Sequence, residues 1–225
     1  MDSFADMPDI QHIIFDLGGI FLNLDYGRTA LSFKELGVLN FDELFSQHHA
    51  NPLFAGLETG AISEEDFYQQ IRAITQLPLS DAQISYAWNA MLLNMPLQRI
   101  SWLQQVAKQY SIYLFSNTNT IHYQQIQQIC QRDLGTIHFN SLFKFAGYSH
   151  LLGFRKPDVN AFRTYLQQLH LPPETTLFID DTPGNIQGAA ETGLHTLLLS
   201  PPREVLELDI RDWQNNQGFT SSKSI

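Results

Sequence analysis

The sequence has a single cysteine, few basic residues and no long apolar run, and each shortage excludes a class of protein. Cys130 has no second cysteine with which to form an intrachain disulfide, so a reducing compartment is expected. The chain has 13 Lys and Arg against 23 Asp and Glu, and this net charge of -10 argues against a nucleic acid or an anionic membrane as partner. No apolar run reaches membrane-spanning length, and the acidic first residues do not resemble a signal peptide. We therefore expect a soluble cytoplasmic protein. The sequence does not indicate an oligomeric state.

The pattern of apolar residues predicts an α/β protein. The 225 residues, 44% of them hydrophobic, suffice for one domain with a smaller insertion. Residues 26–95 contain amphipathic segments only, and Ser63 and Ser80 each have the spacing of a helix N-cap. From Leu97 onward helical and strand-like segments alternate, which is typical of a parallel sheet. The predicted strands are residues 13–15, 112–115, 142–146, 176–179 and 194–199.

Polar residues follow three of these strands at the points where the strands end. Asp16 follows the first strand, Ser116 and Asn117 the second, and Asp180 and Asp181 the fourth. The carboxyl ends of parallel strands lie along one edge of a sheet, where open α/β sheets bind their ligands. We therefore expect these residues, distant in sequence, to converge.

Each of these residues, taken singly, also has an ordinary structural explanation. Asp16 is compatible with a turn, Ser116 with a helix N-cap, Asp180 with the start of an Asx turn, and Lys156 with a solvated side chain before a proline. The combination is more specific than its parts. Three aspartates brought together would repel one another without a cation, and oxygen-only ligands suit Mg²⁺. Lysine and serine beside such a site would bind a phosphoryl group, which indicates phosphoryl transfer with Asp16 as a nucleophile.

Four segments, in order, carry a resemblance to a known family. The segments FDLGGIFLNLD, LFSNT, GFRKPD and FIDDTPGN resemble the four signature motifs of the haloacid dehalogenase-like (HAD) hydrolase superfamily, and the match spans nearly the whole chain. Within it the likeness is to the DLGG/DLGN-type sugar phosphatases, including the α-D-glucose-1-phosphate phosphatase group. The resemblance implies a Rossmann-like three-layer core formed by residues 1–25 and 96–225, and an inserted all-helical cap formed by residues 26–95.

The resemblance also implies a role for each matched residue. Asp16 would be the nucleophile and a ligand of Mg²⁺, the backbone carbonyl of Gly18 a second ligand, Asp180 a third, and Asp181 would act through water. The expected reaction is Mg²⁺-dependent hydrolysis of a phosphate monoester, and the expected partner is a small phosphorylated metabolite, in particular a sugar phosphate.

The phosphate side of the site follows from the same motifs. Ser116 and Asn117 are expected to hold the phosphate together with Gly18, and Lys156 is expected to steady both the phosphate and the nucleophile. Lys156 therefore counts as a catalytic residue as well as a phosphate ligand.

Gly18 departs from the usual pattern of these phosphatases. Most of them have a second aspartate at this position, which protonates the leaving oxygen and later activates water, and loss of a general acid/base costs a factor of about 10²–10⁴. One explanation is a leaving group that needs little help, such as the anomeric oxygen of a sugar 1-phosphate. Another is a substitute group, with Asp25, His48 and His49 as candidates, although Asp25 also suits a turn.

Two other functions remain compatible with the sequence. One is a slow or inactive phosphatase-like binding or regulatory protein. The other is a metal-free haloacid dehalogenase, which the pair Asp180 and Asp181 argues against. Substrate choice would depend on the cap. Several polar and aromatic residues of the cap are candidates to face a ligand, although each also suits core packing or a solvated face. They are Tyr26, Arg28, His48, His49, Phe54, Glu58 and Trp88.

Overall fold

A five-stranded parallel sheet forms the centre of the molecule. The structure is a computed structural model, and it describes residues 9–39, 41 and 52–208. The strand order is β3-β2-β1-β4-β5, so the first strand lies in the middle. All four pairings are parallel. The strands are β1 (His12–Phe15), β2 (Ser111–Ser116), β3 (Phe145–Tyr148), β4 (Thr176–Asp180) and β5 (His195–Leu198).

Helices cover both faces of this sheet and produce three layers. Alternate side chains of β1 point to opposite faces: Ile13 and Phe15 belong to one apolar cluster, and Ile14 belongs to another. Because both faces of the sheet are covered, the middle of β1, β2 and β4 is a continuous apolar run, as is usual in buried parallel strands. The predicted Rossmann-like α/β core is confirmed. The helices that follow the cap are α5 (Leu97–Val106), α6 (Thr120–Leu134), α7 (Ser149–Leu152), α8 (Val159–Leu169) and α9 (Pro183–Ala190).

Four helices between β1 and α5 form the described part of the cap. They are α1 (Tyr26–Glu35), α2 (Pro52–Glu58), α3 (Glu64–Thr75) and α4 (Asp81–Asn89). The two predicted serine N-caps are present, since Ser63 accepts from the backbone N–H of Asp66 and Ser80 forms a capping box with Gln83. The four helices share an apolar cluster of their own, which Ile121 of α6 joins. The exact division of the chain at residues 25 and 95 stays a prediction.

The predicted strand at residues 142–146 is wrong in its position. Phe139–Leu142 forms a 3₁₀ turn instead, and β3 begins only at Phe145. The aromatic rings explain the difference, because Phe139 and Phe143 pack edge to face, 5.1 Å apart, and both contact Phe21. Phe139 in this turn and Phe143 directly after it are thus buried in the core before β3 begins. Among the helices of the described residues, none is long and apolar enough to cross a membrane.

Candidate active site

A buried lysine joins two aspartates at the carboxyl edge of the sheet. Lys156 Nζ donates to Asp16 Oδ1 at 2.8 Å and to Asp180 Oδ2 at 2.5 Å. The lysine is 1% exposed and its ammonium also lies over the rings of Phe115 and Phe178. Burial disfavours its charged form, but the two carboxylates outweigh that effect and raise the pKa of Lys156. The lysine is therefore a fixed cation between β1 and β4.

The strand register explains why these residues meet. Phe15 of β1 lies beside Leu114 of β2 and Ile179 of β4, and the backbone N–H of Asp16 donates to the carbonyl of Ile179 at 2.9 Å. Asp16 therefore leaves the sheet next to Asp180, as expected for neighbouring parallel strands. The predicted convergence of the strand ends is thus found in the structure.

Asp180 is held from a second side by the turn into α9. Asn185 Nδ2 donates to both carboxylate oxygens of Asp180 at 3.0 Å, and the backbone N–H of Thr182 donates to Oδ1 at 2.8 Å. Together with Lys156, these donors fix the orientation of a carboxylate that is 0% exposed. Asn185 was not singled out in the sequence, although it stands in the motif FIDDTPGN.

Three carboxylates form a cluster that suits a divalent cation. One oxygen atom each of Asp16, Asp180 and Asp181 lies within 4.8 Å of the others. Burial raises the pKa of Asp16 to about 7, against the opposing effect of Lys156, and burial followed by Asp180 raises the pKa of Asp181. Three acidic groups thus face one lysine, and an oxygen-only donor set fits Mg²⁺. The expected contribution of the Gly18 carbonyl to this set stays a prediction.

Gly19 makes room for the third carboxylate. It has a φ of 70°, and a Cβ at this position would overlap with Asp181 Oδ2. A side chain here would therefore displace Asp181 from the cluster. The positive φ of Gly19 and its missing side chain thus leave room for another residue of the site.

The segment after β2 supports the lysine. Asn117 Nδ2 donates to the backbone carbonyl of Lys156 at 2.8 Å, and the backbone N–H of Lys156 donates to Asn117 Oδ1 at 3.0 Å. This reciprocal pair fixes the lysine backbone against the end of β2. Ser116 is 3% exposed and ends β2 itself. The roles of Ser116 and Asn117 in phosphate binding stay predictions.

At Gly18, an apolar side chain occupies the space next to the backbone. A Cβ on Gly18 would lie 2.7 Å from Leu24 Cδ1 and 3.8 Å from Asp16 Oδ2. Asp25, considered as a substitute acid, is the N-cap of α1, accepts from the backbone N–H of Gly27 at 3.0 Å and pairs with Arg28 at 3.4 Å. Its structural role is therefore established. His48 and His49 lie outside the described residues.

The candidate cap residues separate into two groups. Phe54 and Trp88 stack on each other inside the cap, with ring centroids 5.1 Å apart, so they are core residues. Tyr26 remains 44% exposed, and its pKa is raised first by burial and then by the charges of Asp181 and Asp16. Glu58 forms an ion pair with Arg155 of the core at 2.7 Å. Tyr26 is therefore within range of the carboxylate cluster, and Glu58 joins the cap to the residue before Lys156.

Comparison with known proteins identifies the family. Residues 10–193 match the family model described as haloacid dehalogenase-like hydrolase. The chain belongs to the haloacid dehalogenase-like hydrolases. It is 27% identical over 189 residues to the D-ribitol-5-phosphate phosphatase of Bacteroides thetaiotaomicron, a match that covers 83% of this chain and 90% of the relative.

Solved structures agree with this assignment. A variant of a HAD family enzyme from Bacteroides thetaiotaomicron, in complex with magnesium and inorganic phosphate, has a TM-score of 0.81 and 30% identity, over 86% of this chain and 96% of that one. A HAD-like family hydrolase from Porphyromonas gingivalis has a TM-score of 0.82 and 27% identity, over 93% and 100% of the two chains. The predicted family, the inserted helical cap and the enzyme class, a HAD-type hydrolase with phosphatases among its relatives, are confirmed.

Proposed function

We propose that this HAD hydrolase is a Mg²⁺-dependent phosphatase that forms an aspartyl-phosphate on Asp16. The observation that carries the proposal is the position of Lys156, which bonds both Asp16 and Asp180 beside a third carboxylate. Asp16, Asp180 and Asp181 would hold the ion, together with the carbonyl of Gly18. Bound Mg²⁺ would supply positive charge to a phosphoryl group at this edge of the sheet.

The carboxylate of Asp16 has one oxygen free for attack. Its Oδ1 accepts from Lys156, and within the described part of the chain its Oδ2 has no hydrogen-bond donor. In the proposed reaction, a carboxylate oxygen of Asp16 attacks phosphorus and the bond to the alcohol oxygen breaks. Water then attacks the acyl phosphate, which releases inorganic phosphate and restores Asp16. Ser116 and Asn117 would hold the phosphoryl oxygens, with Lys156 supporting the charge.

The glycine at position 18 makes proton transfer the weak part of this reaction. Because no side chain reaches out from Gly18, the alcohol oxygen would take its proton from solvent, and water would attack the acyl phosphate without a base from that position. If hydrolysis of the intermediate is the slow step, the phosphoenzyme accumulates. The alcohol, which leaves in the first step, is then released in a pre-steady-state burst. A linear time course contradicts that order of rates.

For the substrate we propose a phosphorylated sugar or polyol. The relative at 27% identity is named for D-ribitol 5-phosphate, which makes this ester the first to test. A hexose 1-phosphate is the second, since its anomeric oxygen leaves with less need of an acid. Residues 26–95 would act as the cap over a core of residues 1–25 and 96–225, and the buried Cys130 thiol suits a reducing cytoplasm.

A slow or inactive phosphatase that serves as a binding or regulatory protein is the second candidate. The contact of the Gly18 position with Leu24 favours it, because the place of the usual acid lies against an apolar side chain. A metal-free dehalogenase is not favoured, because three clustered carboxylates beside one lysine would lack a counter-charge.

Turnover of phosphate esters separates these functions. We expect phosphate release from ribitol 5-phosphate and hexose phosphates with MgCl₂ and its loss with EDTA. Asp16→Asn should abolish release, whereas Asp9→Asn, at an exposed position, should leave it unchanged. A folded protein that releases no phosphate from a broad panel of metabolites would refute the proposal that it is a phosphatase.

A further inference from the structure

An ion pair joins the cap to the core beside the catalytic lysine. Glu58 is the last residue of α2, and its Oε2 lies 2.7 Å from Nε of Arg155, the residue before Lys156. The two side chains are 26% and 27% exposed, respectively, so each keeps an open face. The two atoms lack the alignment of a hydrogen bond. Among the described residues, neither group has a further polar partner.

Both partners are held by rigid backbone. Thr59, directly after Glu58, donates its hydroxyl to the carbonyl of Ala55 at 3.0 Å and closes the end of α2. A Cβ on the next residue, Gly60, would lie 2.5 Å from the carbonyl oxygen of His150, so the cap backbone packs directly on α7. On the core side, the reciprocal bonds between Asn117 and Lys156 fix the residue that follows Arg155. The pair therefore has a defined place.

Two features of the position of Glu58 disfavour its charged form. A carboxylate in the last turn of a helix meets the negative end of the helix dipole. Burial raises the pKa of Glu58, although Arg155 and then Lys156 act in the opposite direction. Arg155, the partner of Glu58, precedes Lys156 in the chain, and the charges of Glu58 and Lys156 act on each other across this short separation. The partly open ion pair, one residue from Lys156, is therefore a candidate to bind a polar ligand.

We propose that the pair of Glu58 and Arg155 binds the hydroxyl groups of the alcohol that carries the phosphate. The free carboxylate oxygen of Glu58 accepts hydrogen bonds, and the remaining N–H groups of Arg155 donate them. A hydroxyl both donates and accepts, so two neighbouring hydroxyls of a polyol or sugar match this acceptor and donor pair. The inference rests on the proposed function and names the part of the substrate that the cap recognises.

Selectivity between two phosphate esters tests the inference. Ribitol 5-phosphate has hydroxyl groups for the pair, whereas p-nitrophenyl phosphate has none. For Glu58→Gln and for Arg155→Lys we expect kcat/KM for ribitol 5-phosphate to fall about 10- to 100-fold, the range for hydrogen bonds to charged groups. The value for p-nitrophenyl phosphate should change by less than about threefold. Asp81→Asn breaks another cap ion pair, between Arg72 and Asp81 at 2.6 Å, and should alter neither.

Each outcome has one meaning. Equal losses on both esters, or no loss on either, would overturn the inference, because a pair that only holds the cap closed does not distinguish them. Arg155→Lys keeps the charge at this position and provides a second test if Glu58→Gln does not fold. If the wild type hydrolyses p-nitrophenyl phosphate and the variants keep the wild-type selectivity, the inference is refuted and the proposed function is not. Wild-type inactivity on both of these esters and across the panel of metabolites would refute the proposed function, and the inference with it.

Discussion

Replacing Lys156 by methionine removes the cation between two buried carboxylates. The lysine is 1% exposed, its partner Asp180 is 0% exposed, and its two ion-pair contacts measure 2.8 and 2.5 Å. Loss of one partner from a buried ion pair costs about 3–5 kcal/mol, because the remaining charge has no compensation. Two carboxylates remain here, so we expect Lys156→Met to lower the free energy of unfolding by at least about 3 kcal/mol at neutral pH without Mg²⁺.

The pH dependence of this loss follows from the same charges. Lys156 opposes the rise in the pKa of Asp16, so without it that pKa rises further. The folded variant then keeps protons that the unfolded chain releases, and its stability falls as pH rises. The loss in the free energy of unfolding caused by Lys156→Met should therefore be smaller near pH 5. Mg²⁺ should stabilise the variant more than the wild type if the ion replaces the missing charge.

Urea unfolding followed by circular dichroism, at two pH values and with or without MgCl₂, measures these quantities. Lys108→Met is the matched control, because the ammonium of this exposed lysine donates a hydrogen bond to Gln105 and forms no ion pair in the described structure. This variant should lose no more than about 0.5 kcal/mol of stability. A loss below about 1 kcal/mol for Lys156→Met at neutral pH would refute the reasoning.

Three further predictions concern the same edge of the sheet. In metal-free buffer, the pKa of Asp16 is about 7 against a usual 3.8, so the free energy of unfolding should fall as pH rises from about 4 to 7, and Asp16→Asn should flatten that slope in urea titrations. Gly18→Asp combined with Leu24→Ala should raise kcat for alkyl phosphates by about 10²-fold or more, whereas Gly18→Asp alone, with its Cβ 2.7 Å from Leu24, should gain less. Asn117→Ala should lower stability by about 1–3 kcal/mol and lower kcat, because it frees the backbone of Lys156.

The central part of the fold and site was predictable because it depends on local patterns and on sheet topology. Ser63 and Ser80 begin helices as their spacing predicts, since an N-cap needs only residues a turn away. Asp16 and Asp180 meet because neighbouring parallel strands end on one edge. The sequence separation of these aspartates was therefore no obstacle to predicting their contact.

Other contacts were not predictable because they depend on packing between distant segments. Asn117 was expected at the phosphate, and its bonds to the backbone of Lys156 became evident only from the path of both loops. The pairing of Glu58 with Arg155 depends on how α2 docks on the core. Apolar residues before a strand suit the strand or a buried turn equally, and the packing of Phe139 against Phe143 places the start of β3 at Phe145 instead of residue 142.

Mass spectrometry of the protein, quenched in acid during turnover of ribitol 5-phosphate with MgCl₂, tests the assignment of Asp16 most directly. The account predicts a peptide carrying one phosphoryl group on Asp16, removed by hydroxylamine as an acyl phosphate is, and absent from Asp16→Asn. If hydrolysis of the intermediate is the slower step, the phosphorylated fraction should be large. Release of phosphate by a protein in which Asp16 is never phosphorylated, or by Asp16→Asn at the wild-type rate, would contradict it.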